Sequence, residues 1–302
     1  MMAYRKILVT GCRGQLGRDL IRMLENSFQV SGIDIEDIDI LDSRRLETFI
    51  LKAAPDVVIH TAAYTDVDGC ESNPELAMAV NCAGAENVAR ACRAAKAKMI
   101  LYSTDYVFDG LSATPYTEDD IPAPQTIYGK SKWEGERAVS RTIENNAILR
   151  IAWVYGYHGK NFVKTMMKLG KKQIHARKNG ENPPPLKIVD DQFGNPTWTE
   201  DVVRQTQIVL ENDLTGVYHA SSEGTVSWYQ FASDIFRLLN MPVRLAPCST
   251  EEYPRPAPRP RYSSLENAAL KKLGLNLMPH YDKSLENFLN SYGARLLNEI
   301  TD

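Results

Sequence analysis

Tyr128 and Lys132 lie four positions apart in the segment YGKSK, a spacing that places two side chains on one face of a helix. A tyrosine, with a pKa of about 10, is a poor proton-transfer group at neutral pH, but a neighbouring ammonium favours phenolate and lowers that pKa. Lys132 could do this while also bonding a nicotinamide ribose. Thr104 follows an apolar run, where ligands bind in open α/β sheets, and could hold a substrate carbonyl beside Tyr128. These residues predict hydride transfer from a nicotinamide cofactor. A helix-surface pair near a buried strand-end hydroxyl is the alternative.

A glycine-rich segment, TGCRGQLG, covers residues 10–17 directly after the first apolar run. Its G-x-x-G-x-x-G spacing lets backbone N–H groups approach a pyrophosphate at a helix N-terminus, although glycines also make a good structural turn. The residues of this loop predicted to contact the cofactor are Gly11, Arg13, Gly14, Gln15 and Leu16.

Two side chains give opposite indications of the cofactor. Asp34 ends the second apolar run about 20 residues after the loop, where a carboxylate can accept a hydrogen bond from a ribose 2′-OH, which favours NADH. Arg13 could instead pair with a 2′-phosphate, which favours NADPH, or be a solvated loop residue. NADH and NADPH therefore both stay open.

Alternation of apolar strand-like runs with helical stretches must position these groups. The predicted strands are 6–10, 28–33, 56–60, 98–103 and 147–151, and the predicted helices between them are 14–25, 43–53, 74–95 and 126–144. Short runs that are apolar throughout indicate strands buried on both faces of a parallel sheet. The pattern predicts an α/β fold, a Rossmann-like doubly wound parallel sheet with a smaller C-terminal α/β substrate lobe. We expect residues 1–155 to form the dinucleotide-binding domain, with a returning segment near 186–215, and residues 156–302 to form mainly the substrate lobe.

Composition limits the classes of partner. The net charge is −3 with both signs interspersed, so neither nucleic acid nor a membrane surface is predicted. The first residues show no signal-peptide pattern, and the five cysteines form no C-x-x-C pair, which predicts reduced thiols and a cytoplasmic location. A small-molecule substrate is expected, and a homodimer is left open.

Acidic and proline-rich segments offer weaker signals. Residues 118–120 (EDD) and 190–191 (DD) could hold Mg²⁺, but solvated loops explain them better, so no metal site is predicted. Residues 254–261 (PRPAPRPR) could be a polyproline ligand or a linker. Their arginines, Arg259 among them, could also clamp a diphosphate, and the fold context favours that.

Taken together, these motifs resemble the dTDP-4-dehydrorhamnose reductases, within the extended short-chain dehydrogenase/reductases. The resemblance covers nearly the whole chain. It rests on the glycine loop, TAAYTDVD at 61–68, STDYVF at 103–108, YGKSKWEGE at 128–136, AWVYG at 152–156, DDQFGNPT at 190–197, and Arg259-Pro260 with Ser263.

The resemblance implies a role for each matching position. Tyr128 would be the proton donor, Lys132 its partner, and Thr104 the residue that tunes it. Residues implied to contact the cofactor are Asp39 and Ile40 at the adenine, with Ala62, Ala63 and Tyr64 along its length. Residues implied to contact the sugar nucleotide are Thr104, Asp105 and Trp153. The implied reaction is reduction of C4 of dTDP-4-dehydro-L-rhamnose by NAD(P)H, for cell-surface polysaccharide.

Related functions share much of this pattern. Sugar-nucleotide dehydratases tend to have Thr-Asp-Glu at the fourth strand end, whereas this chain has Tyr106 at the third position. Epimerases return the hydride to the substrate, so a requirement for added NAD(P)H would exclude them. A non-catalytic subunit resembling the regulatory subunit of methionine adenosyltransferase is a further alternative, although Thr104, Tyr128 and Lys132 are all intact.

Overall fold

A six-stranded parallel sheet forms the centre of the computed structural model, which describes residues 4–300. Within these residues the strands are β1 (Lys6–Thr10), β2 (Gln29–Ile33), β3 (Val57–His60), β4 (Lys98–Thr104), β5 (Asn146–Ile151), β6 (Val154–Tyr155), β7 (Leu186–Val189), β8 (Phe193–Gly194), β9 (Thr197–Trp198), β10 (Gly216–His219), β11 (Val226–Ser227) and β12 (Leu245–Cys248). The order of the central sheet is β10-β5-β4-β3-β1-β2, with all neighbours parallel. The predicted Rossmann-like α/β fold is thus confirmed.

Helices cover both faces of this sheet. The α-helices of the described residues, in both parts of the chain, are α1 (Gln15–Leu24), α2 (Ser43–Ala53), α3 (Val67–Ser72), α4 (Pro74–Met78), α5 (Ala85–Ala95), α6 (Ile127–Thr142), α7 (Phe162–Lys178), α8 (Thr199–Glu211), α9 (Trp228–Leu238), α10 (Ala268–Leu273) and α11 (Tyr281–Glu299). Because successive strand residues point to opposite faces, Ile7 and Val9 pack into one core with Leu20 and Val202, whereas Leu8 packs into the other. Burial on both faces explains why β1, β3, β4 and β5 read as continuous apolar runs.

The helix predicted over 74–95 is interrupted. A π-helical turn at Ala79–Gly84 separates α4 from α5. Asn81 in this turn is 3% exposed, and its side chain bonds the main chain of Tyr64 and the hydroxyl of Ser131. The wider turn therefore links the segment after β3 to helix α6, as π-bulges at functional positions often do.

The second half of the chain builds a smaller lobe from separated pieces. Helices α7, α9 and α11 pack around an aromatic core that includes Tyr155, Phe231 and Phe288. Three two-stranded pairings join β7 with β12, β8 with β11 and β6 with β9.

The segment expected to return near 186–215 divides between the two parts. Strand β7 stays in the smaller lobe, whereas α8 packs against α1 and β10 pairs with β5 as the edge of the central sheet. Residues 199–219 are therefore the portion that lies with the nucleotide-binding sheet.

Candidate active site

The glycine loop lies between β1 and α1, as the sequence predicts. Gly11 has φ of +71°, and a Cβ there would lie 2.6 Å from the main-chain nitrogen of Ala62, so only glycine lets the loop approach β3 this closely. Gly14 is the N-cap of α1, and no side chain caps that helix. The first N–H groups of α1 are consequently available for an anion such as a pyrophosphate.

The end of β2 is occupied by a small charge network. The carboxylate of Asp34 accepts a 2.7 Å hydrogen bond from the main-chain N–H of Arg13. The guanidinium of Arg13 pairs with Glu36 and, at 3.2 Å, with Asp37. Asp34 is thus placed at the cleft, whereas the charge of Arg13 is already shared by two carboxylates.

Two adjoining clefts contain most of the predicted site residues. The smaller of the two, called the second cleft below, has a volume of about 260 Å³ and is lined by Gly11, Gly14, Asp34, Asp39, Ile40, Ala62 and Ala63, among others. The main cleft, of about 510 Å³, is lined by Gly14, Gln15, Leu16, Ala63, Thr104, Asp105, Tyr128, Lys132, Trp153 and Arg259, among others. The clefts share Gly14, Thr61 and Ala63, so they form a continuous path past the glycine loop.

Two of the predicted cofactor residues, Arg13 and Tyr64, are absent from these linings. The Arg13 side chain is drawn to Glu36 and Asp37 on the surface. Tyr64 bonds Asn81 through its main-chain N–H and carbonyl, at 2.8 and 3.0 Å, and so serves to fix the loop after β3.

Gln15 connects the glycine loop to the smaller lobe. Its amide donates to the carbonyl of Val154 at 3.2 Å and accepts from Asn161 at 3.0 Å. The loop that would hold the cofactor is therefore hydrogen-bonded to the lobe that would hold the substrate.

Tyr128 and Lys132 lie one turn apart on α6 in the wall of the main cleft, where Lys132 is buried and Tyr128 is half-buried. Thr126 caps this helix by accepting from Gly129 N–H at 2.9 Å, and Glu71 accepts from Ile127 N–H at 2.9 Å. These two caps satisfy free N–H groups of the first turn, which fixes the start of the helix just before Tyr128.

Burial is the main influence on the ionisation of the Tyr–Lys pair. Burial raises the pKa of Tyr128, an effect that the nearby Thr104 hydroxyl opposes. Burial also lowers the pKa of Lys132 to about 8, opposed by Glu136. Desolvation is thus the largest influence on the pKa of Tyr128, and the lowering expected from Lys132 stays a prediction. Tyr128 is held as a protonated phenol.

Thr104 and Asp105 lie at the carboxyl end of β4, beside Tyr128. The Thr104 hydroxyl donates to Asp105 at 2.9 Å and accepts from the main-chain N–H of Tyr106 at 3.2 Å. Burial raises the pKa of Asp105 to about 6, opposed by the hydroxyls of Ser263 and Thr104. The second carboxylate oxygen of Asp105 and the hydroxyl of Ser263 are both buried without a hydrogen-bond partner.

Trp153 has an unusual backbone conformation, with φ of +46°. Its indole stacks on Trp228 with ring centroids 3.4 Å apart, and Phe162 packs against Trp228 at 4.5 Å. Trp228, Lys160 and Gln192 also line the main cleft, and sequence reasoning missed all three. A strained backbone supported by aromatic packing is typical of a functional position.

Residues 254–261 run along the main cleft, which Arg259 and Pro260 line. Arg259 forms an ion pair with Asp68 at 2.9 Å and donates a hydrogen bond to the carbonyl of Ala257 at 3.1 Å. The predicted diphosphate-clamping arginine is therefore at the cleft, and it already has an acidic partner from α3.

The acidic segments considered for Mg²⁺ have internal hydrogen-bond partners. Glu118 accepts from the N–H groups of His219 and Ala269, at 2.8 and 3.1 Å, and Asp191 accepts from Thr250 at 3.0 Å. Across residues 4–300, no group of three or more His, Cys, Asp or Glu side chains is arranged to hold a metal ion. The helices in this part of the chain are too short or too polar to cross a membrane.

Comparison with known proteins places this geometry in context. The family model described as the RmlD substrate binding domain matches residues 5–294. Spore coat polysaccharide biosynthesis protein SpsK of Bacillus subtilis is 38% identical over 285 residues, which cover 94% of this chain and 96% of that protein. The dTDP-4-dehydrorhamnose reductase of Streptomyces griseus is 38% identical over 286 residues, with 92% and 91% covered.

A solved structure extends the comparison to three dimensions. The dTDP-4-dehydrorhamnose reductase of Bacillus anthracis, crystallised in complex with NADP, superposes with a TM-score of 0.90 at 37% identity. The superposition covers 95% of this chain and 99% of that one. The likeness thus includes both lobes and the clefts between the glycine loop and α6.

Proposed function

The chain belongs to the RmlD substrate binding domain family, and from this membership we propose that it is an NAD(P)H-dependent dTDP-4-dehydrorhamnose reductase. It reduces the C4 keto group of dTDP-4-dehydro-L-rhamnose to the alcohol of dTDP-L-rhamnose. The observation that carries the proposal is a single cleft lined by the glycine loop, Thr104, Tyr128, Lys132 and Arg259. The similarity to a spore coat polysaccharide protein supports a role in cell-surface polysaccharide synthesis.

The chain's own residues fit a dinucleotide cofactor. The uncapped N-terminus of α1 and the close approach of Gly11 to Ala62 make a backbone cradle for a pyrophosphate. Asp34, Asp39 and Ile40 line the second cleft, which suits an adenosine. When bound, the nicotinamide supplies the hydride for C4.

Tyr128 supplies the proton. Its phenol stays protonated through the neutral range, so it can donate to the carbonyl oxygen of the substrate as negative charge develops there. When the substrate binds, the O–H of Thr104 turns from Asp105 to that carbonyl oxygen, while the Thr104 oxygen keeps its hydrogen bond from Tyr106 N–H. Two donors at one carbonyl both orient the substrate and stabilise the developing alkoxide.

Lys132 helps to orient the cofactor in the main cleft. Its ammonium is held by the carbonyl of Tyr102, and its remaining N–H groups suit a ribose hydroxyl of the cofactor. After proton donation the phenolate of Tyr128 is stabilised by this nearby cation, and solvent restores the proton.

The nucleotide sugar occupies the part of the main cleft away from the glycine loop. Asp105 and Trp153 line this part of the cleft, where Asp105 accepts from a sugar hydroxyl and Trp153 provides an apolar surface for the sugar ring. Arg259 binds the diphosphate by charge-assisted hydrogen bonds. We place the reaction in the cytoplasm, since all five cysteines are free thiols.

The test is to follow cofactor absorbance with purified protein, dTDP-4-dehydro-L-rhamnose and either NADH or NADPH. Stoichiometric oxidation of the added cofactor, with dTDP-L-rhamnose as the product, is the expected result. Epimerisation without net cofactor consumption would instead identify an epimerase. Binding of cofactor with no reaction of any 4-keto nucleotide sugar would favour a non-catalytic subunit.

A further inference from the structure

Asp68, on the short helix α3, makes three contacts with residues 254–261. Its Oδ1 forms an ion pair with the guanidinium of Arg259 at 2.9 Å and accepts a hydrogen bond from the main-chain N–H of Ala257 at 3.2 Å. Its Oδ2 lies 3.9 Å from the guanidinium of Arg255. One carboxylate therefore connects α3 to a segment nearly 190 residues later in the chain.

The contact of Asp68 with Arg259 is shorter and less exposed than its contact with Arg255. The Arg259 and Asp68 side chains are 19% and 26% exposed, whereas the Arg255 side chain is 47% exposed and also stacks on Tyr253. Ion pairs shielded from water are screened less than surface pairs. Asp68 thus holds the guanidinium of Arg259 specifically, and its attraction for the rest of residues 254–261 is weaker.

Arg259 keeps donors for a ligand while it is fixed. A guanidinium has five N–H donors, of which the hydrogen bond to the Ala257 carbonyl uses one, while the ion pair with Asp68 occupies one side of the group. Arg259 lines the main cleft, where Lys132 and Lys160 are the other basic residues of the lining. Because Lys132 is bonded to the Tyr102 carbonyl, Arg259 is well suited to a diphosphate at this end of the cleft.

Helix α3 is also tied to the catalytic helix. Its N-cap, Asp66, accepts from Gly69 N–H at 3.0 Å, and Glu71 accepts from the N–H of Ile127 at the start of α6. Helix α3 therefore contacts both Arg259 and the first turn of α6, which contains Tyr128.

We propose that Asp68 is a positioning residue of the nucleotide-sugar site: it fixes the Arg259 guanidinium relative to Tyr128, so that the diphosphate of the substrate is bound with its sugar at the catalytic hydroxyl. This inference rests on the proposed function for the identity of the ligand. It assigns Asp68, the second aspartate of TDVD at 65–68, a role in substrate affinity rather than in chemistry or in cofactor binding.

The experiment compares binding of dTDP and of thymidine by calorimetry for wild type, Asp68→Asn, Arg259→Ala and the double variant. We expect Asp68→Asn to weaken dTDP binding about tenfold and thymidine binding less than twofold, because only dTDP contains the diphosphate. The effect of Asp68→Asn should shrink strongly in the Arg259→Ala background, since the two residues act as a unit. Turnover by Asp68→Asn should show a raised KM for the nucleotide sugar, a nearly unchanged kcat and an unchanged KM for the cofactor.

Asp66→Asn is the matched control, because Asp66 is in the same turn and caps α3 without touching residues 254–261. Equal dTDP affinity of wild type and Asp68→Asn would overturn the inference, as would equal losses for dTDP and thymidine or a loss shared by Asp66→Asn. These binding measurements require no turnover. A wild-type chain that binds dTDP but reduces no 4-keto sugar would overturn the proposed function instead.

Discussion

The ammonium of Lys132 donates a 2.7 Å hydrogen bond to the main-chain carbonyl oxygen of Tyr102. This bond ties α6 to β4, the strand that ends at Thr104, and so connects the two elements that hold the catalytic hydroxyls. Holding Lys132 in this position costs folding free energy, because the side chain is only 6% exposed and its cation is removed from water. The buried lysine lowers the stability of the fold, and in return its side chain is already in position before a ligand binds.

Lys132→Met should therefore change the pH dependence of stability. The pKa of Lys132 is about 8 in the folded chain and 10.5 for an ordinary lysine, so the unfolded chain binds more protons between these values. Wild-type stability from this group thus rises as pH increases from about 8 to 10.5, by at most about 3 kcal/mol. The stability of the variant relative to wild type should be highest below pH 8 and should fall by that amount as pH rises.

Urea unfolding at a series of pH values measures this difference. Lys130→Met, which removes an exposed lysine from the same helix, is the control and should show a flat difference. A flat difference for Lys132→Met as well would show that Lys132 is not a desolvated cation.

Tyr128→Phe should remove most of the activity while leaving cofactor binding intact. The substitution keeps the ring, which packs edge-on against Tyr106 at 5.7 Å, and deletes only the proton donor. General acid catalysis predicts a fall in kcat of about 10²- to 10⁴-fold, measured by cofactor oxidation. Tyr218→Phe is the control, because its hydroxyl bonds only the Thr215 carbonyl in the structure. Retention of more than about a tenth of the activity by Tyr128→Phe would assign the proton to another group.

Much of the fold could be predicted because its signals are local. The apolar runs of β1, β3, β4 and β5 reflect burial on both faces, whereas β2, the edge strand, is mostly exposed, so the expectation of burial was wrong there. The Tyr–Lys spacing reflects one turn of α6. The pairing of β10 with β5 could not be predicted, because a strand's partner depends on where the chain returns and not on its own residues. The π-helical turn of Ala79–Gly84 was likewise hidden, since its apolar pattern is compatible with a continuous helix.

The site shows the same division between local and distant signals. Thr104 and Tyr128 were identifiable by residue type and position, and both line the main cleft. The Lys132 ammonium is expected to lower the tyrosine pKa, but the largest influence on that pKa is burial, which no spacing reports. The partnership of Asp68 with Arg259 and the stacking of Trp228 on Trp153 join distant segments and had no sequence signal.

The charge network at the end of β2 should set the cofactor preference. The guanidinium of Arg13 is paired with Glu36 and Asp37, and the carboxylate of Asp34 is close by. The negative charge near a cofactor 2′-phosphate therefore exceeds the positive charge that is free to bind it. Neutralising both partners, in Glu36→Gln/Asp37→Asn, should free Arg13 and raise the ratio of kcat/KM for NADPH over NADH about tenfold. The gain should vanish when Arg13→Ala is added. A ratio that rises equally without Arg13 would mean that the carboxylates act by repulsion alone.

Gly194→Ala should damage the substrate side of the cleft without affecting the cofactor side. A Cβ at Gly194 would lie 2.4 Å from the indole of Trp153, whose backbone already has a positive φ and cannot readily shift. Displacing that indole disrupts its stacking on Trp228, so the KM for the nucleotide sugar should rise about tenfold or more, with an unchanged KM for NADPH. Tryptophan fluorescence and near-UV circular dichroism should change together with the KM.

The control for this substitution is Gly293→Ala on α11, where a Cβ would lie 3.2 Å from the flexible end of the Leu239 side chain. This variant should keep both KM values and the near-UV spectrum, because α11 can accept a methyl group by a small movement of that leucine. If Gly194→Ala changed the spectrum but not the KM, Trp153 would be a packing residue. If it raised both KM values equally, the glycine would support the whole cleft rather than the substrate side.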